Sequence, residues 1–323
     1  MSDNIKDLLL VVTGAMAIEY IKVLDGLQKT YDVVGNSNRS VTAFKEQTGV
    51  HAYCGGIEKY VTENRGHLFP NYAIVAIDGE KLCEASEMLI ESGVKHILIE
   101  KPGAITQSQM KRLVKKAEEK KVNVFIGYNR RFYASVEKAE EIIKKDGGIL
   151  SLNFEFTEWS HVIEKTANSK EIKEKWFLMN SSHVVDLAFY FMGNPKVMHT
   201  HIKGEKEWHP AGSIYCGCGE SEKGILFTYQ ANWGAPGRWG IEILTKNHRL
   251  YLRPMEKLSI QEIGSVAVRE CEIDDEMDLK YKAGLFREVE ELFNHSETVT
   301  RLCTLQEQEY HMTIYEQISG ECY

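Results

Sequence analysis

The sequence predicts an α/β architecture for the first part of the chain and an α+β architecture for the second. Three observations carry this expectation. Over the first 127 residues, short continuous apolar runs alternate with amphipathic stretches, the pattern of a parallel sheet covered on both faces. Beyond residue 150, strand-like runs follow one another with few helices between, the pattern of a largely antiparallel sheet with helices on one face. The length, 323 residues, suffices for two domains that each bury a core.

Leu8–Val12 reads as the first strand, closed by a turn at Gly14, and Ile18, Ile21 and Leu24 mark the apolar face of the next helix. Val33-Val34 ends at Gly35, and a helix is expected over Ser40–Thr48. Tyr72–Ile77 is a continuous apolar strand followed by a helix over Glu80–Glu91. His96–Ile99 is the fourth strand, followed by a charged helix over Ser108–Lys121; Val122–Ile126 is the fifth. The Lys/Glu-rich run Lys111–Lys121 fits a solvated helix face better than a binding patch. In the second part, strands are expected at Leu150–Phe156, Lys196–Lys203, Ser213–Gly217, Gly224–Ala231, Gly240–Leu244, His248–Leu252 and Leu258–Glu262. A helix is expected over Ser182–Met192, and two more near Tyr281–Phe293 and Leu305–Ile318. There is no internal repeat and no low-complexity linker.

With 39 Lys+Arg against 47 Asp+Glu, the formal net charge is −8. That balance argues against a nucleic-acid binder, which shows a basic stripe, but leaves room for a local Arg cluster. The segment Met1–Val12 lacks the positive start, long apolar stretch and small-residue cleavage site of a secretory signal. No window reaches the roughly 18 apolar residues of a membrane span. The seven cysteines are scattered, and the one close pair, Cys216 and Cys218, lacks the second half of a zinc site. Free thiols and a cytoplasmic location are expected. The 11 histidines show no H-x-x-x-H or H-E-x-x-H spacing, so no metal is expected.

Strand, glycine turn and helix are where a dinucleotide phosphate would rest on backbone N–H groups. The stretch Val12-Thr13-Gly14-Ala15-Met16-Ala17 keeps only the central glycine of the G-x-G-x-x-G pattern. Gly14, Ala15 and Met16 are therefore expected to bind cofactor, with Ala76 and Ile77 at the end of a neighbouring strand. An NAD-specific site would carry Asp or Glu at the end of the second strand to bond the ribose hydroxyls. Here that place reads Val34-Gly35-Asn36-Ser37-Asn38-Arg39, and Asp32 comes too early. Asn36, Ser37 and Arg39 suit a 2′-phosphate, so NADP(H) is favoured over NAD(H).

Glu100-Lys101-Pro102 follows the fourth strand directly, at the carboxyl end where open α/β sheets bind ligands. Pro102 would stiffen the turn, and a cis Lys101–Pro102 bond is in keeping with it. From the Gly14 turn, through Gly93–Pro102 and Gly127-Tyr128-Asn129-Arg130-Arg131-Phe132, to Ser182-His183-Val184-Val185-Asp186 and the closing helices, the chain resembles the glucose–fructose oxidoreductase / inositol dehydrogenase (Gfo/Idh/MocA) family. The resemblance covers nearly the whole chain. It implies an N-terminal Rossmann NAD(P)-binding domain over residues 1–127. It implies a C-terminal α+β domain over 128–323 on a large open-faced sheet used in oligomerisation, with the closing helices able to pack back on the first domain.

What the resemblance implies chemically is hydride exchange between nicotinamide and a secondary alcohol or ketone of a sugar. Glu100, Lys101 and Pro102 would contact cofactor, and Lys101 would reach the reacting oxygen. The family places a D-x-x-x-H element at a helix start; here His183 keeps the histidine, but Met179 stands in place of the acid. Asn180 could bind a substrate hydroxyl but cannot act as a base. Proton transfer then falls to His183, with Asp186 one helical turn on and able to orient it. Tyr128, Arg130, Arg131 and Arg238 are the expected substrate contacts, the last on the run Trp233-Gly234-Ala235-Pro236-Gly237-Arg238-Trp239. Three arginines suggest an anionic substrate such as a nucleotide-linked sugar or a sugar acid. Trp159, His161 and Trp176 fit either the core or the same cleft. A homodimer or homotetramer is expected, as is the absence of a nucleic-acid or membrane partner. The alternative is a catalytically weakened relative that binds a nucleotide or sugar as a regulatory or partner protein.

Overall fold

The computed structural model describes residues 5–12, 14–295 and 300–323. The chain begins β1 (Leu8–Val11), α1 (Ala15–Gly26), β2 (Tyr31–Gly35), α2 (Asn38–Thr48), β3 (Tyr53–Cys54), α3 (Gly56–Glu63) and β4 (Tyr72–Val75). It continues α4 (Leu82–Glu91), β5 (His96–Glu100), α5 (Gln107–Lys120), β6 (Asn123–Gly127), α6 (Ala134–Lys145) and β7 (Ser151–Glu155). Two short helices, α7 (Ser160–Ile163) and α8 (Lys170–Glu174), and a π-helical turn Phe177–Ser181 lead into α9 (Ser182–Met192). Seven strands follow: β8 (Pro195–Lys203), β9 (Ile214–Ser221), β10 (Leu226–Asn232), β11 (Gly240–Leu244), β12 (His248–Leu252), β13 (Ser259–Glu262) and β14 (Val268–Glu270). The last elements are α10 (Glu276–Lys280), α11 (Leu285–Asn294), β15 (Cys303–Thr304) and α12 (Leu305–Ser319). None of the described helices is long and apolar enough to cross a membrane.

Two compact units emerge, one of Met1–Gly127 with Leu285–Glu309 and one of Tyr128–Gly284 with Tyr310–Tyr323. In the first unit the strand order is β15-β6-β5-β4-β1-β2-β3, and every pair except β15–β6 is parallel. Strands β1, β4 and β5 are apolar on both sides and buried, as a parallel sheet covered by helices requires. The order 3-2-1-4-5-6 is that of a doubly wound Rossmann sheet, whose strand order reverses between β1 and β4. Strand β3 and helix α3 were not anticipated: two residues at a sheet edge leave no apolar run to read. The second domain was expected over 128–323 with its closing helices able to pack back on the first; Leu285–Glu309 groups with the first unit. Leu285, Val289 and Leu292 form the buried stripe of α11, which packs on α1, and Cys303 pairs with Ile126 at the sheet edge.

The second unit is built on an eight-stranded sheet ordered β14-β13-β12-β11-β7-β10-β9-β8. Only β7–β10 is parallel. Along β10 the side chains alternate strictly: Phe227, Tyr229 and Ala231 are buried, while Leu226, Thr228 and Gln230 are exposed. One face is thus core and the other open, the signature of a half-covered antiparallel sheet. The inner face carries an aromatic core in which Phe154 stacks on Tyr229 (centroids 5.3 Å) and meets Phe189 of α9 edge-on (6.4 Å). Such pairs contribute about 0.5–1.5 kcal/mol each beyond area burial. Glu321, near the C-terminus, accepts the backbone N–H groups of Phe177 (2.7 Å) and Leu178 (3.3 Å), and so ties the chain end to the turn that launches α9.

Candidate active site: a nucleotide cleft and a basic, aromatic cluster

The carboxyl ends of β1, β2 and β4 lie side by side and open into a cleft of about 700 Å³ in the first unit. Gly14, Ala15, Met16, Asn36, Ser37, Ala76 and Ile77 all line it, as do Val11, Val12 and Gly35. Gly14 is the N-cap of α1 in extended conformation, with no side-chain cap, at the helix end where a phosphate would be received. A Cβ built on Gly14 would meet no protein atom within 4 Å. Its smallness is not demanded by the protein's own packing; an approaching pyrophosphate is what would need it. The lining thus fits a dinucleotide.

Ser37 caps α2, accepting from Ser40 N at 3.2 Å in a reciprocal capping box, and Ser40 also lines the cleft. Arg39 is exposed in the first turn of α2 and does not line the cleft. Sequence reading missed the opposite wall. Gly55, Gly56, Ile57 and Glu58 from the start of α3, and Asp78 and Lys81 before α4, also border it. Their signal was invisible because β3, which positions α3, is only two residues long.

Glu100, Lys101 and Pro102 form a turn at the end of β5, with Lys101–Pro102 in the cis form and Gly103 N–H donating to Glu100 O at 3.1 Å. Gln308 holds the turn by donating to Pro102 O at 3.0 Å. These three residues are not part of the cleft lining. One oxygen of Glu100 accepts the Tyr20 hydroxyl at 2.8 Å, so part of its expected cofactor role is taken by a structural bond. Burial, helped by the Glu100 and Glu288 charges, drives the Tyr20 hydroxyl well above its ordinary pKa, and it remains a donor.

In the second unit a different group assembles. The His183 ring meets Tyr128 edge-on (5.6 Å) and lies 6.2 Å from the ring of Trp239. Arg130 sits over Trp239 at 4.8 Å, and Arg238 over Trp239 and Trp159 at 4.5 and 4.9 Å. Burial lowers the pKa of Arg130, although a guanidinium stays charged in proteins. At the centre lies a residue sequence reading did not single out. The buried carboxylate of Glu158 accepts from Asn180 Nδ2 (2.9 Å), Ser181 Oγ (2.8 Å), Trp239 Nε1 (3.2 Å) and Arg238 (3.0 Å). Burial raises its pKa, while Ser181, Arg238, Asn180 and Trp239 act in the opposite sense. The acid absent from the start of α9 is thus present in space, delivered from just beyond β7.

Three of the expected site residues have partners within the protein. Arg131 is no surface ligand: its guanidinium is buried and makes a forked pair with Asp186 at 2.8 and 2.6 Å. Asp186, expected to orient His183, is the carboxylate of that buried pair. Asn180 gives its amide to Glu158. Trp159 and His161, with Glu158, Lys206 and Trp233–Gly237, line a second cleft of about 590 Å³. Trp176 instead packs edge-on against Trp208 at 6.3 Å.

Fold and cleft together define a Rossmann-type dinucleotide-binding protein with an open-sheet second unit. Residues 8–128 match the model of the Gfo/Idh/MocA oxidoreductases, described as an oxidoreductase family with an NAD-binding Rossmann fold. No curated protein matches the sequence significantly. Among solved structures, an oxidoreductase from Agrobacterium radiobacter in complex with NAD+, L-tartaric acid and magnesium is similar in fold. It has a TM-score of 0.78 at 12% identity, covering 97% of this chain and 95% of that one. UDP-N-acetylglucosamine 3-dehydrogenase from Acidithiobacillus ferrooxidans aligns with a TM-score of 0.75 at 13% identity, covering 98% and 97%. A levoglucosan dehydrogenase in complex with NADH aligns with 0.76 at 14%, covering 97% and 96%. At these identities the likeness is one of fold.

Proposed function

We propose that the protein is an NAD(P)-dependent oxidoreductase that exchanges hydride with a secondary alcohol or ketone of a sugar carrying an anionic group. The observation that carries this reading is the cleft lined by Gly14–Met16, Asn36, Ser37, Ala76 and Ile77 at the switch point of a doubly wound sheet. Bound there, a nicotinamide dinucleotide supplies or accepts the hydride. The chain's own residues supply the rest. Lys101 stabilises negative charge on the reacting oxygen, and His183 takes or returns the hydroxyl proton. Arg130 and Arg238, both stacked on Trp239, present cations beside an aromatic face, a pairing suited to an anionic sugar. Glu158 fixes Asn180 and Arg238 in place.

NADP(H) is the proposed cofactor, supported by Ser37 and Ser40 on the cleft rim and the positive end of α2. Glu58 on the opposite rim works against a 2′-phosphate. Titrating NADPH and NADH into the full chain by nicotinamide fluorescence tests both points. Binding of neither cofactor overturns the enzyme reading. Arg39→Ala weakening NADH as much as NADPH removes the case for a 2′-phosphate contact. The second reading, a weakened relative that binds without turnover, is favoured by Met179 in place of an acid and by the commitment of the Asn180 amide to Glu158. Binding of cofactor with no oxidation or reduction across sugars, sugar acids and nucleotide sugars supports it.

A further inference from the structure

We propose a four-ligand metal site, of the zinc class, on the open face of the second sheet, built from His199 and His201 of β8 and Cys216 and Cys218 of β9. The pairing register sets His199 opposite Cys218 and His201 opposite Cys216. The side of the sheet follows from the neighbours. Tyr215 is buried in the core, and a Cβ at Gly217 or Gly219 would run into the rings of Tyr229 or Phe227. Residues 216 and 218 therefore point the other way, and so do their cross-strand partners. All four side chains are exposed.

Two thiols facing two imidazoles across one strand pair make a donor set of the kind that holds a metal ion. A disulfide is a poor alternative. Residues two apart on a strand lie about 6.5–7 Å apart at Cα, at the limit of disulfide geometry, and both cysteines are free thiols. Cross-strand Cβ atoms lie about 4.5–5.5 Å apart. A rectangle of that size, with two imidazoles along one edge and two thiols along the other, can close on an ion with bonds of about 2.0–2.3 Å. In the structure no three of the four ligand atoms lie within 4.8 Å of one another. Closure thus takes rotation of exposed side chains between staggered rotamers. Neutral imidazole and thiolate select zinc over magnesium or calcium, and four protein ligands make a closed, structural site rather than a catalytic one. Since β8 is the edge strand of its sheet, the ion would staple that edge to β9. In sequence the halves stand apart as H-x-H and C-x-C, which is why neither reads as a zinc motif alone.

The test is titration of the full-length, reduced, metal-free protein with Co2+, read by absorption. The proposal expects thiolate-to-cobalt charge-transfer bands and the intense visible bands of a tetrahedral ion, saturating at one ion per chain and displaced by Zn2+. Cys216→Ser with Cys218→Ser should abolish the bands, and His199→Ala with His201→Ala should weaken binding at least about tenfold. An independent readout needs no variant: Zn2+ should slow iodoacetamide labelling of Cys216 and Cys218 but not of Cys322, which is also exposed. Absence of the tetrahedral spectrum, bands indifferent to loss of both histidines, or equal labelling of all three thiols with and without Zn2+ would each overturn the site. None of these outcomes depends on the oxidoreductase reading.

Discussion

Glu158 is the residue on which the second unit's cluster turns. A buried carboxylate with four donors around it holds Asn180, Ser181, Trp239 and Arg238 in one arrangement. Glu158→Gln keeps the shape but replaces one acceptor oxygen with a donor that faces other donors. We expect it to cost about 2–4 kcal/mol in urea denaturation, typical of disrupting a buried charged network. Lys101→Ala and His183→Ala should each lower kcat by about 10²–10⁴-fold, the usual contribution of an acid–base group, with cofactor affinity by fluorescence little changed for His183→Ala. Full turnover in His183→Ala would end the proton-transfer assignment. Met179→Ala, which removes no ionisable group, should leave activity measurable.

At the scale of elements, glycines enforce turns where backbones crowd. Gly284 ends the second unit's main segment at φ +74°, and a Cβ there would come within 2.0 Å of Asn129 O. Its N–H is held by Asp278, which also takes the Ala134 N–H at the start of α6. Gly284→Ala therefore combines a left-handed conformation with a backbone clash, and a loss of more than about 2 kcal/mol is expected in thermal or urea unfolding. The helix over Ser182–Met192 was legible because its run from Val184 to Met192 is apolar but for Asp186 and Tyr190 and too long for a typical strand. Helix α3 was not, since its buried face is only Ile57 and Tyr60, and nothing local marks the edge strand before it. The cofactor cleft was half legible for the same reason. The β1–α1 turn and the end of β2 are written as a strand, a glycine and a polar loop, whereas the α3 wall depends on a pairing with β2.

At the scale of the whole molecule, stability toward acid has a local source. Burial acts to raise the pKa of Asp146, but hydrogen bonds from Thr245 (2.5 Å), His248 (2.6 Å) and Asn247 (3.0 Å) outweigh it and hold the carboxyl at about 2. Its ordinary value is 3.8. A depressed folded-state pKa contributes stability that is complete above about pH 4 and is lost as pH falls toward 2. The difference amounts to about 2 kcal/mol. Urea unfolding of wild type and Asp146→Asn should show that gap at pH 7 and a much smaller one at pH 2; a gap unchanged with pH would show that the carboxylate's charge is not its source.

Sequence alone determined the alternation of buried strands and helices, the glycine turn at the first helix and the E-K-P turn after β5. All of these are local patterns, because side-chain period and turn chemistry act over a few residues. Only the tertiary structure decided that Arg131 belongs to Asp186, that Glu158 supplies the carboxylate α9 lacks, and that Leu285–Glu309 completes the first unit. Partners 55 or 22 residues apart are chosen by the sheet and helix geometry that brings them within hydrogen-bond reach. A buried charge must find its counter-charge wherever the fold delivers one, and no spacing in the chain announces where that is.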